Sequence, residues 1–508
     1  MAKTIPLLDL TFFLLERKSS PTHVAALMLF KLPEDADSRF VAKLASAYRK
    51  GTPVPPFNWI PEFPPLGLPR WVDAGALNMR YHVRHTALPA GATWADLREL
   101  VGELHSQMLD RAHPCFRMIF IEGLPDRQFA MFFKVHHAML DGASAIMRIA
   151  ASLDGDADAR KVRPIYGIGF DAPSSGSTRP RLRSLAALKS TAAKQAVALT
   201  NLYGTLLRKG LGVGRNAKGA GSAPFTAPRT PTNAPLAAGR SIATLSLPLD
   251  EMKSVGKTFG GTINDVAVTI VDAALHRYLE DLGAPATAPL VALCPLSLRE
   301  AGDREATTKA ATMFVPLGRR SMTLAKRMEV VVRANASAKA EIQGMKKDAA
   351  MLYSLAAFGL SDLASRSGPN AVARPAANLI LSNVPGPRDV LHLCGARMTG
   401  IYPISGLGAG IGLNVTLISY AGSMDFGFVG NGATLPGLDR LAKHTQAAFA
   451  ELCRAAARRR KDSTATAAAS VLPKRTASEA KRAAPRGRTA ASRAPDRRAA
   501  RGRSARVR

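Results

Sequence analysis

Apolar residues in the first part of the chain recur with two periods, one typical of strands and one typical of helices. Residues 23–30 and 128–137 form short runs rich in branched and aromatic side chains, which predicts two buried strands. Between them, residues 93–109 carry apolar side chains at helical spacing, at Leu97, Leu100, Val101, Leu104 and Met108. This part of the chain therefore mixes strands and helices, and an α/β fold with mixed sheets is expected.

The pattern is interrupted and then resumes in the second half of the chain. Residues 155–238 are rich in Pro, Gly, Ser and Ala, with one helical pattern at 182–207, which predicts a linker containing one helix. From residue 239, a strand pattern at 242–247 precedes a helix that begins with Thr262 and Asp265, a capping-box pair. We therefore expect domains at 1–154 and 239–453, joined by the linker.

Charge sets the C-terminal end apart from the rest of the chain. The 508 residues hold 69 Lys and Arg against 38 Asp and Glu, a net charge of +31. Residues 454–508 alone hold 18 basic and 3 acidic residues within Ala-, Arg-, Ser- and Pro-rich low complexity. This composition predicts a disordered basic tail. Such a tail would bind nucleic acid or an anionic surface in a salt-dependent way, or would simply be a solvated extension without a partner.

Compartment and membrane signals are few. The four cysteines lie far apart without a C-x-x-C pair, which fits a reducing compartment and argues against disulfides and zinc. Asp9 interrupts the apolar N-terminus, so no signal peptide is predicted. The uncharged stretch 398–424 contains six glycines and is interpreted as buried strands and turns, not as a membrane helix. A cytoplasmic protein that is soluble or peripherally membrane-associated is expected.

The sharpest chemical signal is the run from His136 to Gly142, with the sequence HHAMLDG, directly after the second predicted strand. Strand alternation sends His136 and His137 to opposite faces, so only one of them can point into a shared cavity. Asp141 falls where a helix at 142–153 would begin, which suits a helix cap or a partner for an arginine. The alternative interpretation is a core histidine beside a capping aspartate.

At this motif the chain resembles the bacterial wax ester synthase/acyl-CoA:diacylglycerol acyltransferases, within the coenzyme A-dependent acyltransferases that share H-x-x-x-D. The resemblance extends from about residue 5 to residue 453, because further short tags follow in the family's order. In sequence they are PLLDLTF at 6–12, THV at 22–24, YHVRH at 81–85, LDR at 109–111, NDV at 264–266, PLSLR at 295–299, SNVPGP at 382–387, LNVT at 413–416 and DFG at 425–427. One departure is Pro114-Cys115-Phe116, where the family usually has Pro-Leu-Trp, so a reshaped acceptor pocket lined or supported by Phe116 is expected.

The resemblance implies two α/β domains with a channel between them, which admits coenzyme A from one side and the acceptor from the other. It implies transfer of a fatty acyl group from acyl-CoA, a co-substrate, to diacylglycerol or a fatty alcohol, with no bound cofactor or metal. His137 would be the general base, His136 would shape the site, and Asp141 with Gly142 would hold the loop. A membrane or lipid-droplet surface would be the setting, and the oligomeric state is left open.

Two further residues carry expectations from the resemblance. Asn264, in the first turn of its predicted helix, is a candidate donor to the tetrahedral oxyanion, although it and Asp265 could equally serve only to cap that helix. Asp425 is expected to pair with an arginine that fastens the C-terminal domain.

The chemistry of the residues is consistent with direct transfer. A thiol of pKa about 8.5 leaves readily as thiolate, whereas the attacking alcohol needs a base such as a neutral imidazole. Ser144 lacks the second glycine of a G-x-S-x-G nucleophile elbow. Two rival functions remain: another H-x-x-x-D enzyme that uses carrier-bound acyl groups, such as a condensation domain, and a non-enzymatic polyanion-binding protein that acts through the tail.

Overall fold

A computed structural model describes residues 3–169, 225–298, 310–345, 347–366, 374–408 and 410–471. Most of the predicted linker, including its predicted helix at 182–207, lies outside the described residues. The chain divides into two compact units, Met1–Arg458 and Arg459–Arg508. Both predicted catalytic halves belong to the first unit, whereas most of the predicted tail belongs to the second.

The helices begin where the sequence supplies capping residues. Thr93 with Asp96 and Thr262 with Asp265 form complete capping boxes at two of them, as the sequence predicted for the second. In the described part of the chain the helices are α1 Leu7–Leu15, α2 Phe40–Arg49, α3 Met79–His82, α4 Trp94–Ser106, α5 Gly142–Ser152, α6 Leu249–Thr258, α7 Ile263–Asp281, α8 Leu324–Gln343, α9 Lys347–Arg366 and α10 Asp439–Val471.

The strands form two larger sheets and a small one. The strands are β1 Lys3–Thr4, β2 His23–Lys31, β3 Trp59–Glu62, β4 Arg70–Asp73, β5 Val83–Ala87, β6 Phe116–Leu124, β7 Gln128–His136, β8 Arg240–Pro248, β9 Val291–Ser297, β10 Ala310–Pro316, β11 Leu379–Val384, β12 His392–Leu393, β13 Ala396–Ile404, β14 Leu413–Tyr420 and β15 Ser423–Asn431. Mixed sheets with helices confirm the expected fold class.

The first large sheet has the strand order β12-β13-β2-β7-β6-β5 and is antiparallel except between β5 and β6. The predicted strands β2 and β7 are its centre, and they pair with His23 opposite His136. Phe132 packs against α4, whereas Phe133 and Val135 belong to the core on the other face. This alternation decides which side chains at the end of β7 reach each face.

The second large sheet has the order β10-β9-β11-β14-β15-β8. Its central strand β11 runs parallel to both β9 and β14, and the outer pairs are antiparallel. The buried helix α7 packs in the main core of this half, together with α8. The tag at 382–387 begins in the last three residues of β11 and continues beyond it, so it lies at the carboxyl end of this central strand.

The second half of the chain contributes a strand to the first sheet, which the predicted domain boundaries did not anticipate. Strand β13 lies within the predicted C-terminal domain but pairs with β2, from Arg397 opposite Lys31 to Ile404 opposite Ala25. The predicted division at 1–154 and 239–453 is therefore corrected: residues 392–404 complete the first sheet. A strand sequence shows which residues alternate but not which sheet supplies the hydrogen-bonding partner.

Asp425 and Gly427 explain how this crossing is held. The Asp425 carboxylate accepts hydrogen bonds from the Ser246 hydroxyl at 2.7 Å and from the Ile401 backbone N–H, on β13, at 2.9 Å. The expected arginine partner was therefore wrong, because hydroxyls and a backbone amide satisfy this buried carboxylate. Burial raises the pKa of Asp425. A Cβ at Gly427 would lie 1.7 Å from the Pro403 carbonyl oxygen, so β13 can cross β15 only over a glycine.

Two other expectations concern the C-terminal third. The uncharged stretch 398–424 forms strands β13 and β14 and their connections, which confirms the sequence interpretation. Helix α10 continues to Val471, so the helix extends beyond the predicted start of the tail at residue 454. Residues 472–508 lie outside the described part of the chain. No helix among the described residues has both the length and the apolar composition needed to cross a bilayer.

Candidate active site

His137 lies immediately after the last residue of β7, at the turn into α5. Its backbone N–H donates to the Thr22 carbonyl at 3.0 Å, which ties the end of β7 to the start of β2. Its imidazole stacks on the Phe12 ring of α1, with ring centroids 4.1 Å apart and an interplanar angle of 19°. Helix α1 and strand β2 together therefore fix the position and the orientation of this ring.

The environment of His137 favours the neutral imidazole. Burial lowers its pKa below the usual 6.5, although the Asp141 charge and a contact with its own backbone act in the opposite direction. The ring atom Nδ1 is buried, and no other described residue lies within hydrogen-bond geometry of it. The contact with its own backbone can hold the Nδ1 proton, which leaves the Nε2 lone pair for a substrate. A neutral ring with a free nitrogen has what a general base requires.

His136 has a different environment, and its tautomer follows from its hydrogen bonds. The Ala138 backbone N–H donates to His136 Nδ1 at 3.2 Å, so the proton of the neutral ring is on Nε2. Nε2 lies 3.1 Å from the Thr22 hydroxyl, which itself donates to the Phe12 carbonyl at 2.9 Å and can therefore accept. The ring is fully buried and stacks on Phe13, with centroids 4.2 Å apart. His136 is therefore held in place within the core, and its role in shaping the site stays a prediction.

An ion pair behind His136, between the buried Glu16 carboxylate and the partly exposed Arg111, carried no signal in the sequence. Arg111 Nη2 contacts Glu16 Oε2 at 2.8 Å, and the Thr22 backbone N–H donates to Glu16 Oε1 at 3.1 Å. Burial raises the pKa of Glu16, but the interactions with His136, Arg111 and Thr22 outweigh burial and lower it to about 2. The tags at 22–24 and 109–111 contained two of these residues. Glu16 lay between the tags and carried no signal of its own.

Asp141 caps the N-terminus of α5, as predicted. Its Oδ1 accepts a hydrogen bond from the Ser144 backbone N–H at 2.9 Å. Burial lowers the pKa of Arg148 on the same helix to about 10, and the Asp141 charge opposes this decrease. Gly142 is the first residue of α5, and a Cβ there would lie 3.6 Å from a Val384 methyl group, an ordinary contact. The loop after His137 is thus fixed by its helix cap.

His137, Asp141 and Gly142 line a cavity of about 380 Å³ between the two large sheets. The second half of the chain contributes Ser382, Asn383, Val384 and Pro385 from the end of β11. Most of the remaining lining is apolar: Val24, Ala25, Ala26, Phe133, Val135, Ala143, Ala145, Ile146, Pro295, Ala310, Ile401, Pro403 and Ile418. An apolar cavity with one basic ring at its wall suits an acyl chain and a reaction beside it.

Ser382 and Asn383 are the polar groups that the sequence analysis quoted only as a tag. Both line the cavity, and neither side chain has a hydrogen-bond partner among the described residues. By contrast, the cavity hydroxyl of Ser405 is 2.9 Å from that of Thr416, which donates to Asn414. Ser382 and Asn383 are therefore polar side chains of the cavity that remain available to donate to a bound substrate.

Asn264 is not among the residues that line this cavity. It is half-buried in the first turn of α7. The adjacent Asp265 accepts from the Thr262 backbone N–H at 2.7 Å and from the Asn335 side chain at 2.6 Å. The capping interpretation is confirmed for Asp265, whereas the oxyanion role of Asn264 stays a prediction.

Phe116, at the position of the departure from the family pattern, does not line the cavity either. It is fully buried and stacks on His82, with centroids 4.3 Å apart. It also contacts Phe57, which in turn lies 6.0 Å from Phe133 of the cavity wall. Phe116 can therefore affect the cavity only indirectly, through Phe57 or through Val135, its partner residue on β7.

Comparisons with known proteins address the family. The description "wax ester synthase/diacylglycerol acyltransferase catalytic domain" matches residues 6–267, and the C-terminal domain of the same family matches residues 308–453. The matched regions contain all the cavity residues except Pro295 and Ser297. The chain belongs to the wax ester synthase/diacylglycerol acyltransferase family. It is accordingly an acyltransferase, as the resemblance implied.

Two named relatives align with this acyltransferase over nearly their whole length. The O-acyltransferase WSD of Acinetobacter baylyi is 30% identical over 450 residues, which cover 86% of this chain and 94% of that protein. A Mycobacterium tuberculosis protein, whose name assigns it diacylglycerol O-acyltransferase activity, is 35% identical over 473 residues, covering 89% and 98%. The family match ends at residue 453, so the C-terminal extension lies outside it.

Two solved structures resemble this chain, one as a member of the family and one in its fold alone. The wax ester synthase/diacylglycerol acyltransferase of Marinobacter aquaeolei has a TM-score of 0.70 and 29% identity, covering 90% of this acyltransferase and all of that chain. The first condensation domain of the calcium-dependent antibiotic synthetase has a TM-score of 0.52 and 16% identity, covering 90% and 97%. The second similarity shows a shared fold only, so the rival assignment to a condensation-type enzyme loses its support.

Proposed function

We propose that this acyltransferase moves a fatty acyl group directly from acyl-CoA to diacylglycerol, a long-chain fatty alcohol, or both. The observation that carries the proposal is the neutral, oriented His137 ring at the wall of an apolar cavity formed by both halves of the chain. His137 Nε2 takes the hydroxyl proton as the alcohol oxygen attacks the thioester carbonyl. The C–S bond then breaks, and the leaving thiolate takes the proton from His137.

Direct transfer is supported by the state of the candidate nucleophiles. Ser144 is fully buried within α5. Cys115 is buried, and burial raises the pKa of its thiol to about 12, which disfavours the thiolate that would attack. Neither residue lines the cavity. A ternary complex with acceptor and acyl-CoA bound together is therefore preferred over a covalent acyl-enzyme.

Ser382 and Asn383 are proposed as the donors that stabilise the tetrahedral oxyanion. Their support is their location in the same cavity as His137 and the absence of competing partners among the described residues. Donors that are already in place strengthen their interaction as negative charge develops on the carbonyl oxygen. Asn264 remains the alternative donor that the family resemblance suggests.

The test is an esterification assay with the purified full chain, labelled palmitoyl-CoA, and either dioleoylglycerol or hexadecanol as acceptor in detergent. We expect ester with at least one acceptor, a loss of about 10²–10⁴ in rate for His137→Ala, and a smaller loss for His136→Ala. Near-normal turnover by a folded His137→Ala would contradict the assignment of the base. Ester formed only from carrier-bound acyl groups would instead favour a condensation-type donor.

The basic tail is proposed to bring the enzyme to an anionic surface and to take no part in the reaction. All cavity residues precede residue 454, whereas residues 454–508 carry 18 of the basic residues. Deleting residues 472–508 should leave turnover on dispersed acceptor unchanged and weaken salt-sensitive binding to anionic vesicles or DNA. Loss of turnover in a folded truncation would make the tail part of the catalytic unit.

A further inference from the structure

Large apolar side chains that are exposed to solvent are concentrated in one region of the described structure. They are Leu7, Leu14, Phe63, Leu66, Leu68 and Met108. All except Met108 lie on α1 or on the loop at 63–69 between β3 and β4, and we call these five residues the α1/loop patch. Single exposed leucines need no explanation, but a contiguous group of this kind indicates a partner.

The members of the α1/loop patch are held together by defined contacts. Leu7 and Leu14 are two helical turns apart and share one face of α1. The Ile5 backbone N–H donates to the Pro69 carbonyl at 3.0 Å, and the Phe13 and Phe63 rings meet edge to face at 5.7 Å. The loop is thereby fixed against α1, so both contribute to one surface.

The shape of this surface favours a fluid partner over a rigid one. Leu66, between Pro65 and Gly67, is 91% exposed, which places it at the tip of a protruding loop. A stable subunit interface buries roughly 800 Å² per partner in a complementary, close-packed surface. A protruding tip flanked by prolines is suited to insertion among acyl chains. The exposed lysines Lys3 and Lys18 lie before and after α1 and would face anionic headgroups.

The other side of α1 connects this surface to His136 and His137. Phe12 stacks on His137 and Phe13 stacks on His136, while Leu7 and Leu14 of the same helix are exposed. A helix with its side chains is about 10–12 Å thick. His137 therefore lies roughly one helix diameter from the exposed surface, on the side from which a water-insoluble acceptor would have to arrive.

We infer that the α1/loop patch is a membrane-docking surface that inserts Leu66 and its neighbours into a lipid layer and places the cavity beside its acceptor. The inference rests on the proposed function for the nature of the acceptor, but the docking itself does not depend on turnover. Helix α1 is the interfacial anchor, and the acceptor crosses from the lipid to His137 without passing through water. The basic tail adds only electrostatic attraction.

The test separates docking from catalysis by measuring each independently on the full-length protein. Flotation with phosphatidylcholine vesicles in about 0.5 M salt suppresses binding by the tail, because the Debye length is then only a few ångströms. Leu66→Asp and the double variant Leu14→Ser/Leu66→Asp should lower the partition coefficient by roughly tenfold or more. Leu66→Met should bind as wild type, and Leu66→Trp should bind more tightly with a blue-shifted emission.

Turnover on a detergent-dispersed acceptor should be unchanged in all four variants. Turnover on acceptor within vesicles should instead decrease in those variants whose vesicle binding decreases. Vesicle binding by Leu66→Asp equal to that of wild type would overturn the docking surface, whatever the activity. A wild-type dimer that Leu66→Asp converts to monomer would also overturn it, because the patch would then be a subunit interface. If the wild type binds vesicles through Leu66 but esterifies no dispersed acceptor, the docking surface stands and the proposed function fails.

Discussion

The Phe12 ring and the His137 imidazole lie nearly parallel, with centroids 4.1 Å apart, so the first helix of the chain packs against the proposed general base. This contact joins residues that are far apart in sequence. It makes Phe12 a positioning residue, because it restricts the ring plane of His137 without contacting the reacting atoms through a polar group.

Phe12→Leu should therefore lower kcat by roughly tenfold while leaving KM for acyl-CoA within about twofold, because a loosely held base spends less time in reach of the hydroxyl. Phe12→Tyr, which keeps the ring, should retain most activity. Steady-state kinetics with varied acyl-CoA separates the two parameters. A rise in KM as large as the decrease expected for kcat, with kcat itself constant, would mean that Phe12 only contributes to substrate binding.

The pH profile should report the lowered pKa of His137. Since burial holds that pKa below 6.5, the ring is already neutral at pH 7, and kcat/KM should be level there. As the pH falls through the pKa of His137, the ring takes up a proton and the base is lost. The acid limb should therefore have its inflection below pH 6.5. An inflection above 6.5 would show that the charged ring is favoured in the folded protein.

Asp141 should matter mainly as a helix cap. Asp141→Asn keeps an oxygen that can accept from the Ser144 N–H, whereas Asp141→Ala removes it and should cost about 1 kcal/mol of stability. The Asn variant should retain more activity, and its acid-limb inflection should move to lower pH, because the charge that raises the His137 pKa is gone. Equal and complete inactivation of both variants, each normally stable in thermal unfolding, would indicate a required charge.

The oxyanion donors can be compared directly. Asn383→Ala and Ser382→Ala should each lower kcat, because each removes a donor toward the developing charge. The decrease in kcat should be about 10²-fold for the more important of the two. Asn264→Ala should have a smaller effect on kcat, since Asn264 does not line the cavity. Circular dichroism and melting temperature control for folding. A larger loss for Asn264→Ala at unchanged stability would return the role to Asn264.

Glu16 should stabilise the fold at neutral pH through its buried network. Its folded pKa of about 2 lies below the unfolded value of 4.5, so its contribution is present above pH 4.5 and is lost as the pH falls toward 2. Glu16→Gln should lower the free energy of unfolding at pH 7 by roughly 1–3 kcal/mol. The difference from wild type should shrink below pH 4.5. A difference that is independent of pH would attribute the effect to packing alone.

Short-range patterns in the sequence determined the local elements and the catalytic motif. The strands β2 and β7, the capped helices α4, α5 and α7, and the cap role of Asp141 follow from side-chain periodicity and capping chemistry, which act within a few residues. The turn that presents His137 is itself local, since a strand end and a helix start fix it. The sequence therefore predicted the position of His137 at the end of a strand, with His136 on the other side, whereas the role of His137 as the base stays a prediction.

Tertiary structure decided every feature that depends on which surfaces meet. Three such features join residues separated by up to several hundred positions. They are the pairing of β13 in the first sheet, the contacts of the buried carboxylates of Glu16 and Asp425, and the location of Ser382 and Asn383 in the same cavity as His137. A strand carries the same donors and acceptors for any neighbour, and a buried acid looks like an exposed one in sequence. Only the packed chain selects the partner, because the desolvation that makes each contact matter exists only after folding.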